Sequence, residues 1–495
     1  MYSFLICICI LVLGYFIYGR IIDRIFQPDP SRPTPSTSMA DGVDYVPLPT
    51  WKVFMIQFLN IAGTGPIFGA IMGAKFGPSC YLWIVFGCIF AGAVHDYMTG
   101  MLSVRHGGAS LPEIIGHYQG PTIKRIVTVL LLLMMMLVGT VFVYSPALIL
   151  GDIAAVSSNG TTSAMFWVAV VFIYYIVATV LPIDKLIGKI YPLFAFALLF
   201  MAFSLLVCLI VKWPSIPEFW DGLGNKGPEV GIKGQSIFPC LFITVACGAI
   251  SGFHGTQSPI MARCIKNERH GRAIFFGSMI CEGIVALIWA AVSSYFFFDG
   301  GMAEVGATSG QAPEVVITVS KSWLGIIGGI LAILGVVAAP ITSGDTVFRS
   351  SRLILSEMLH ISQKPVRNRM VIGIPLFLAA SLLLWFNMAN EDGFNIIWRY
   401  FGWANQSIGC FTLWTVAIYL NRNRPKMHFL LAAIPAAFMT SVTITYIFVD
   451  KTGFNLPDVI TPYLAVLFFV MPLVMFEMFS YNSRHTGREL IQKKQ

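Results

Sequence analysis

The sequence predicts an all-α polytopic membrane protein of about thirteen transmembrane helices, built on an inverted repeat of five helices. Three observations carry that prediction. First, 56% of the 495 residues are hydrophobic and only 11% are charged, whereas a soluble domain carries about 25% charged residues. A chain this apolar cannot cover its own surface in water and must use lipid as a solvent. Second, thirteen apolar segments approach the roughly 20 residues that a helix needs to cross a bilayer. Third, two of those segments, five apart, are interrupted at their centres by glycine. The same composition excludes a disordered chain, a secreted disulfide scaffold and a nucleic-acid binder.

The segments run approximately 2–22, 51–74, 80–104, 124–150, 165–181, 189–212, 236–262, 271–298, 323–350, 368–387, 393–420, 427–449 and 459–480. The first lacks a basic start and a small-residue cleavage site, and arginines follow it, so it reads as a retained helix rather than a signal peptide. After it come Pro28, Pro30, Pro33, Pro35, Pro47 and Pro49, which prevent continuous helix and mark a linker. The net charge of +8 then reports topology. Of 32 Lys and Arg, six fall on even-numbered connections, Arg399 falls within a span, and 25 fall on odd-numbered connections and the C-terminus. By the positive-inside rule the odd-numbered side is cytoplasmic. The N-terminus is then outside and the C-terminus inside. The ten cysteines form no CxxC pair or zinc-like spacing and read as small buried hydrophobes.

The second span reads Ile61-Ala62-Gly63-Thr64-Gly65-Pro66 at its centre, and the seventh reads Gly248-Ala249-Ile250-Ser251-Gly252-Phe253-His254-Gly255. Glycine and proline weaken a helix in its middle, and unwound backbone survives in lipid only where it lines a cavity or is buried in protein. Taken singly, such glycines simply allow close helix packing. Taken together they form a pattern. Five spans is an odd number, so the two broken helices cross in opposite directions, as an inverted repeat requires. This divides the chain into an extra N-terminal helix with its linker (1–50), a first repeat (51–212), a second repeat (236–420), and two additional helices with a tail (427–495). It also places a binding site near the midplane. There half-helix N-termini, with their partial positive charge, face an anionic group.

Each ionisable residue at membrane depth costs about 2.5–3.5 kcal/mol on insertion scales and needs an account. His95 and Asp96 lie in the third span, about 13 Å before Arg105 at its end. They are either a proton acceptor or a gate lining the cavity, or a structural hydrogen-bonded pair locking that span to a neighbour. Glu282 lies about 15 Å into the eighth span and either titrates or is paired. His254, inside the second break, donates to a substrate carboxylate, carries a proton, or caps freed carbonyls. Thr342, Ser343 and Asp345 near the end of the ninth span suit a small cation, but Asp345 and Arg349 are also spaced for a helical ion pair, which is the favoured reading. Arg399, Asn405 and Gln406 read as packing contacts between helices. There is no HExxH, P-loop or GxSxG, hence no enzyme signature, and no metal or cofactor site is expected.

Several blocks resemble the carbon starvation protein A (CstA) family. They are Asp41-Gly42-Val43-Asp44-Tyr45-Val46-Pro47, the first break, Ala91-Gly92-Ala93-Val94-His95-Asp96, Ile250-Ser251-Gly252-Phe253-His254 and Phe401-Gly402-Trp403-Ala404-Asn405-Gln406. The first lies in the linker, where membrane physics predicts nothing, and is the most diagnostic. The resemblance implies an inner-membrane importer induced when carbon runs short, taking up peptides and pyruvate with protons. It also implies a LeuT-like fold, in agreement with the five-plus-five pattern. Many longer members carry Gln at the position of His95 and a Ser/Gly-rich run at Gly255-Thr256-Gln257-Ser258-Pro259. The chain looks like a short branch without extra C-terminal helices.

The expected function is therefore secondary active transport of a small carboxylate-bearing nutrient, pyruvate or a short peptide. Gly63, Thr64, Gly65 and Pro66, with Ser251, Gly252, Phe253 and His254, would form the substrate site. His95, Asp96 or Glu282 would carry the coupling proton. A sodium symporter using Thr342, Ser343 and Asp345 is the rival within transport, and a membrane nutrient sensor is the rival outside it. The partners this reading allows are the small-molecule substrate, the bilayer and a second copy in a homo-oligomer.

Overall fold

In lipid every backbone polar group must find its partner inside the protein, and a helix does this within its own segment. The apolar segments accordingly become helices. The computed structural model describes residues 1–42, 45–157, 164–180, 187–231, 234–300, 311–362, 365–390, 393–425 and 427–492. Val43 and Asp44 of the linker block, Leu181 at the end of the fifth expected span, and Lys233 and Lys364 lie outside them. No strand occurs among the described residues.

The helices are α1 (Tyr2–Phe26), α2 (Thr50–Ile61), α3 (Thr64–Ala74), α4 (Ser79–Arg105), α5 (Leu111–Gln119), α6 (Pro121–Ser157), α7 (Ala164–Val180) and α8 (Ile187–Lys212). They continue with α9 (His254–Ala262), α10 (Gly277–Phe298), α11 (Ala312–Met358), α12 (Val366–Ala389), α13 (Gly393–Asn423), α14 (Leu430–Val449) and α15 (Thr461–Gln492). Among the described residues, eight helices are long and apolar enough to cross a membrane, or nine if α2 and α3 count as one bent span. The chain is thus a multi-pass membrane protein. Four further expected spans contain helix but fall outside that count. The fifth, α7, is short at 17 residues. The seventh is split, α11 departs from helical geometry at Gly325, and α13 carries Arg399, Asn405 and Gln406 within its apolar run.

Both predicted interruptions are present, with sharper edges than expected. In the second span only Ala62 and Gly63 separate α2 from α3, which meet at a 46° bend. Thr64, Gly65 and Pro66 already form the first turn of α3, where proline needs no amide partner. In the seventh span a single turn, Phe242–Thr244, gives way to unwound chain from Val245 to Phe253. His254 is not inside this break: it is the first residue of α9. The two interruptions touch. A Cβ on Gly65 would come within 3.0 Å of Cys247 Cβ, and one on Gly248 within 3.7 Å of Pro66 Cβ. Only glycine at position 65 allows that approach.

The connections sort onto two faces. On one, the linker after α1 is bound to the chain after α9, with Asp29 N to Glu268 Oε2 at 2.8 Å, Ser36 Oγ to Ile265 O at 2.7 Å and Leu48 N to Cys264 O at 3.1 Å. Arg105, closing α4, reaches Glu268 at 3.2 Å, Gln27 O at 2.8 Å and Tyr419 Oη of α13 at 2.8 Å. On the other face, Ser79 Oγ donates to Leu223 O at 2.8 Å, and Glu218 accepts from the amides of Tyr2 (2.9 Å) and Ser3 (2.7 Å). These are the odd- and even-numbered connections of the sequence respectively.

Glu268 has no exposed surface and holds the linker through Asp29 and Arg32 and the end of α4 through Arg105. Glu268→Ala would leave those donors without their acceptor, a loss of about 2–3 kcal/mol. We expect the thermal midpoint to fall and limited proteolysis to cut the 28–49 linker faster. An unchanged digestion rate would contradict the anchoring role.

Candidate functional site

The unwound stretch Val245–Phe253 exposes backbone groups deep in the protein, where each unpartnered one costs several kcal/mol. The adjacent amides of α13 supply the partners. Asn405 Oδ1 accepts from Phe253 N at 2.8 Å and Ser251 Oγ at 3.2 Å, while Asn405 O accepts from Gly252 N at 3.2 Å. Asn405 Nδ2 donates to Ala246 O at 3.4 Å. Gln406 Nε2 covers Phe242 O, Ala246 O and Val245 O at 3.1, 3.2 and 3.4 Å. One amide holds the entrance of α9 and the other the end of the turn before it. A side chain on Gly252 would run into Asn405 O and Gly409 N, so the contact requires glycine.

The break delivers His254 to a chain of ionisable groups. His95 Nδ1 lies 2.8 Å from Asp96 Oδ1, and His254 Nδ1 lies 2.9 Å from Asp96 Oδ2. On its other side His254 Nε2 is 3.4 Å from Glu282 Oε2. All four residues have no exposed surface. They come from three elements: α4, just after a π-helical turn at Cys88–Gly92, the start of α9, and α10. Such turns are frequent at functional sites. The adjacency of His95 and Asp96 does not keep both from the cluster, because Asp96 turns one oxygen back to His95 and extends the other to His254. The last contact lies within ion-pair distance but is not aligned as a hydrogen bond, and neither Glu282 oxygen has a hydrogen-bond partner. Chemically, Asp96 is held as a double acceptor. The gap between His254 Nε2 and Glu282 has room for one proton, on either side.

The first break contributes Thr64, whose Oγ1 is buried without a hydrogen bond, as is Asn60 Oδ1 on α2. Gly63 faces Ser343 on α11, whose Oγ would lie 3.5 Å from an added Cβ and itself donates to Asn60 O at 3.5 Å. Thr342 instead donates to Ala338 O and Ala339 O of its own helix. Asp345 pairs with Arg349 at 3.3 Å, and Arg349 also donates to Ala178 O at 2.8 Å. The structure therefore brings Ser343 to the first break, keeps Thr342 on its own backbone, and gives Asp345 the ion pair that its spacing suggested. Among the described residues no group of three or more His, Cys, Asp or Glu is arranged to hold a metal ion.

Sequence reasoning found all four members of the buried chain but not their connection. It gave Asn405 and Gln406 too little weight. The available signal was a pair of amides in an apolar run, since two such groups in lipid need partners and an unwound helix is what offers them. Asn60 and the anchoring role of Glu268 were also missed.

The model of the family described as carbon starvation protein CstA matches residues 1–166, 140–327 and 321–446. An uncharacterized membrane protein of Haemophilus influenzae is 46% identical over 336 residues, covering 59% of this chain and 91% of that protein. The peptide transporter CstA of Escherichia coli is 26% identical, covering 88% of this chain and 79% of that protein. The pyruvate/proton symporter BtsT of Escherichia coli is 27% identical, covering 62% of this chain and 52% of that protein. Among solved structures, a manganese transporter of Eremococcus coleocola covers 89% of this chain and 99% of its own at a TM-score of 0.55 and 12% identity. At that identity the likeness is one of fold.

Asn405→Ala would strip the buried Phe253 amide and Ser251 hydroxyl of their acceptor, at about 2–3 kcal/mol. We expect a clear drop in thermal midpoint in detergent. Ser407→Ala, two residues on, removes only a bond to its own helix at Trp403 O and should shift the midpoint by far less. Equal shifts for the two variants would contradict the role assigned to Asn405.

Proposed function

Because the chain belongs to the carbon starvation protein CstA family of transporters, we propose that it is a proton-coupled secondary transporter importing a small carboxylate nutrient when carbon is short. Pyruvate and short peptides are the candidate substrates, as they are in the names of its relatives. The observation that carries this reading is the buried chain His95–Asp96–His254–Glu282, which runs through the first residue of a half-helix at His254 and lies beside two touching helix breaks. A structural ion pair would pair its charges fully, whereas here Glu282 keeps both oxygens free of hydrogen bonds.

In this proposal the core is a LeuT-like inverted repeat, with thirteen crossings in all. Residues 51–212 and 236–420 are its halves, and 1–50 and 427–495 are additions. The linker face is cytoplasmic, with the N-terminus outside and the C-terminus inside. The substrate carboxylate sits against the N-termini of α3 and α9, at Gly63, Thr64, Gly65 and Pro66 and at Ser251, Gly252, Phe253 and His254, where helix dipoles favour an anion. Its charge beside His254 favours a proton on the imidazole. Departure of the substrate lets that proton pass toward Glu282 and away. Rocking of one bundle about the breaks exposes the site to each side in turn. Thr342 and Asp345 already have partners, which gives a sodium site less support.

The test is uptake of labelled pyruvate and labelled dialanine into proteoliposomes under an inward proton gradient, and separately under sodium alone. The expected result is proton-driven accumulation. Binding without accumulation under either gradient would favour a sensor instead. Glu282→Gln removes a proton acceptor while nearly keeping shape. We expect it to lower proton-driven accumulation at least tenfold and to leave substrate counterflow in place. Asp96→Asn should impair both, because Asp96 also orients His254. Undiminished accumulation in Glu282→Gln would exclude that carboxylate from coupling.

A further inference from the structure

A groove of about 780 Å³ runs between α6, α13 and α14, within the ~300–1,000 Å³ range of small-molecule sites. Its α6 wall is Ile126, Val129 and Leu133, each half-exposed or more. They recur at the three- and four-residue spacing that puts side chains on one helix face, so the groove opens to the surface along α6. The α13 wall runs from Trp403 to Trp414. Eleven residues of helix rise about 16 Å, close to the ~15 Å that one leaflet contributes to a ~30 Å hydrocarbon core.

Every hydroxyl, thiol and indole N–H in the lining is committed within the protein. Ser407 Oγ donates to Trp403 O at 2.8 Å, Thr443 Oγ1 to Met439 O at 2.8 Å and Thr440 Oγ1 to Ala436 O at 2.7 Å. Trp403 Nε1 donates to Thr443 O and Trp414 Nε1 to Thr440 Oγ1, both at 3.1 Å, and Cys410 Sγ lies 2.9 Å from the same Thr440 oxygen. Along these walls an occupant meets hydrocarbon and no free donor or acceptor. Arg125 is the exception. It is exposed, and among the described residues it makes no hydrogen bond, ion pair or ring contact, whereas its neighbour Lys124 is paired with Glu113. Arg125 lies one turn into α6, on the linker side of the molecule. Just before it, Gln119 of α5 donates to Phe411 O at 2.8 Å and Thr415 Oγ1 at 2.7 Å, and Tyr118 packs on Tyr419, the residue that Arg105 reaches.

We propose that this groove binds an anionic phospholipid, with the phosphate on Arg125 and one acyl chain lying along α13 between Trp414 and Trp403. The apolar walls call for hydrocarbon, and the uncommitted guanidinium at the end calls for an anion. A phospholipid supplies both in one molecule that the bilayer already holds. A guanidinium pairs with phosphate oxygens through two parallel bonds, its stem lies along apolar surface, and basic residues between membrane helices are sites for anionic headgroups. The consequence concerns α13. The helix that walls the groove also presents Asn405 and Gln406 to the unwound segment 245–253, so a lipid seated there steadies the helix that serves the second break. The site depends on neither the transported solute nor the coupling ion.

The test counts retained lipid. Full-length protein is reconstituted in equal parts phosphatidylglycerol and phosphatidylcholine, released into detergent, and its lipid adducts are read by native mass spectrometry. Wild type is expected to keep phosphatidylglycerol in preference to phosphatidylcholine. Arg125→Gln should lower that retention about tenfold, the loss of one charge-assisted pair, and Arg125→Lys should keep most of it. Val129→Trp fills the groove from its exposed edge and should lower retention with Arg125 still in place. Both positions are exposed, so the variants are expected to fold. Added phosphatidylglycerol should also raise the thermal midpoint of wild type and not that of Arg125→Gln. Equal retention of the two lipids by wild type would overturn the proposal, as would unchanged retention in either Arg125→Gln or Val129→Trp, or an equal thermal gain in Arg125→Gln. A lipid-free dimer that Val129→Trp splits would show that a second copy fills the groove, and would overturn it too.

Discussion

Two carboxylates buried near one another in a membrane protein repel, and neither can be ionised cheaply without a partner. His254 resolves this by standing between them, 2.9 Å from Asp96 and 3.4 Å from Glu282. Much else in the fold serves that placement. An imidazole whose Nδ1–H is committed to Asp96 has one remaining nitrogen, and that nitrogen faces Glu282. The proton count of the pair can then change by one without moving the backbone. His95 fixes the other Asp96 oxygen, so the acceptor side of the chain is held still.

Holding His254 there requires an interrupted helix, and an interrupted helix in lipid is stable only if its backbone is served by side chains. Asn405 and Gln406 do this from α13, one on each side of the unwound segment. Gly252 allows α13 to approach closely enough for these bonds to form, and Gly65 lets the first break close on Cys247. The same region is tied to the linker face through Glu268, in the connection that follows α9. Movement of α9 would therefore be felt at both ends: at buried His254 and at the Arg105–Glu268 contact on the linker face. This is the mechanical link that alternating access would use.

Much of this is legible in the sequence because membranes simplify the code. Apolar runs had to become helices, and the odd–even alternation of Lys and Arg matches the sorting of the described connections onto two faces. The glycines at 63, 65, 248 and 252 mark where helices yield. What the sequence left open is lateral. Nothing in the spacing of residues 96, 254 and 282 says that they meet, because helix neighbours are set by packing across the bundle. The exact extent of the second break was also hidden. Val245, Ala246 and Cys247 look like good helix interior, yet they unwind where Asn405 and Gln406 donate to the freed carbonyls of Val245 and Ala246 in place of the helix. For the same reason His254 falls at a helix start rather than inside the break. A local pattern cannot report a partner 150 residues away.

The central claim is that substrate and proton cross together through the His254 chain. The most direct measurement is of the proton itself. Proteoliposomes with a pH-sensitive dye outside, no imposed pH gradient, and membrane voltage clamped by valinomycin and potassium would be given an inward gradient of labelled pyruvate or dialanine. The account predicts that the external medium becomes more alkaline in step with entry of label, and that protein-free liposomes show neither. Entry of label through the protein with no change in external pH would contradict it.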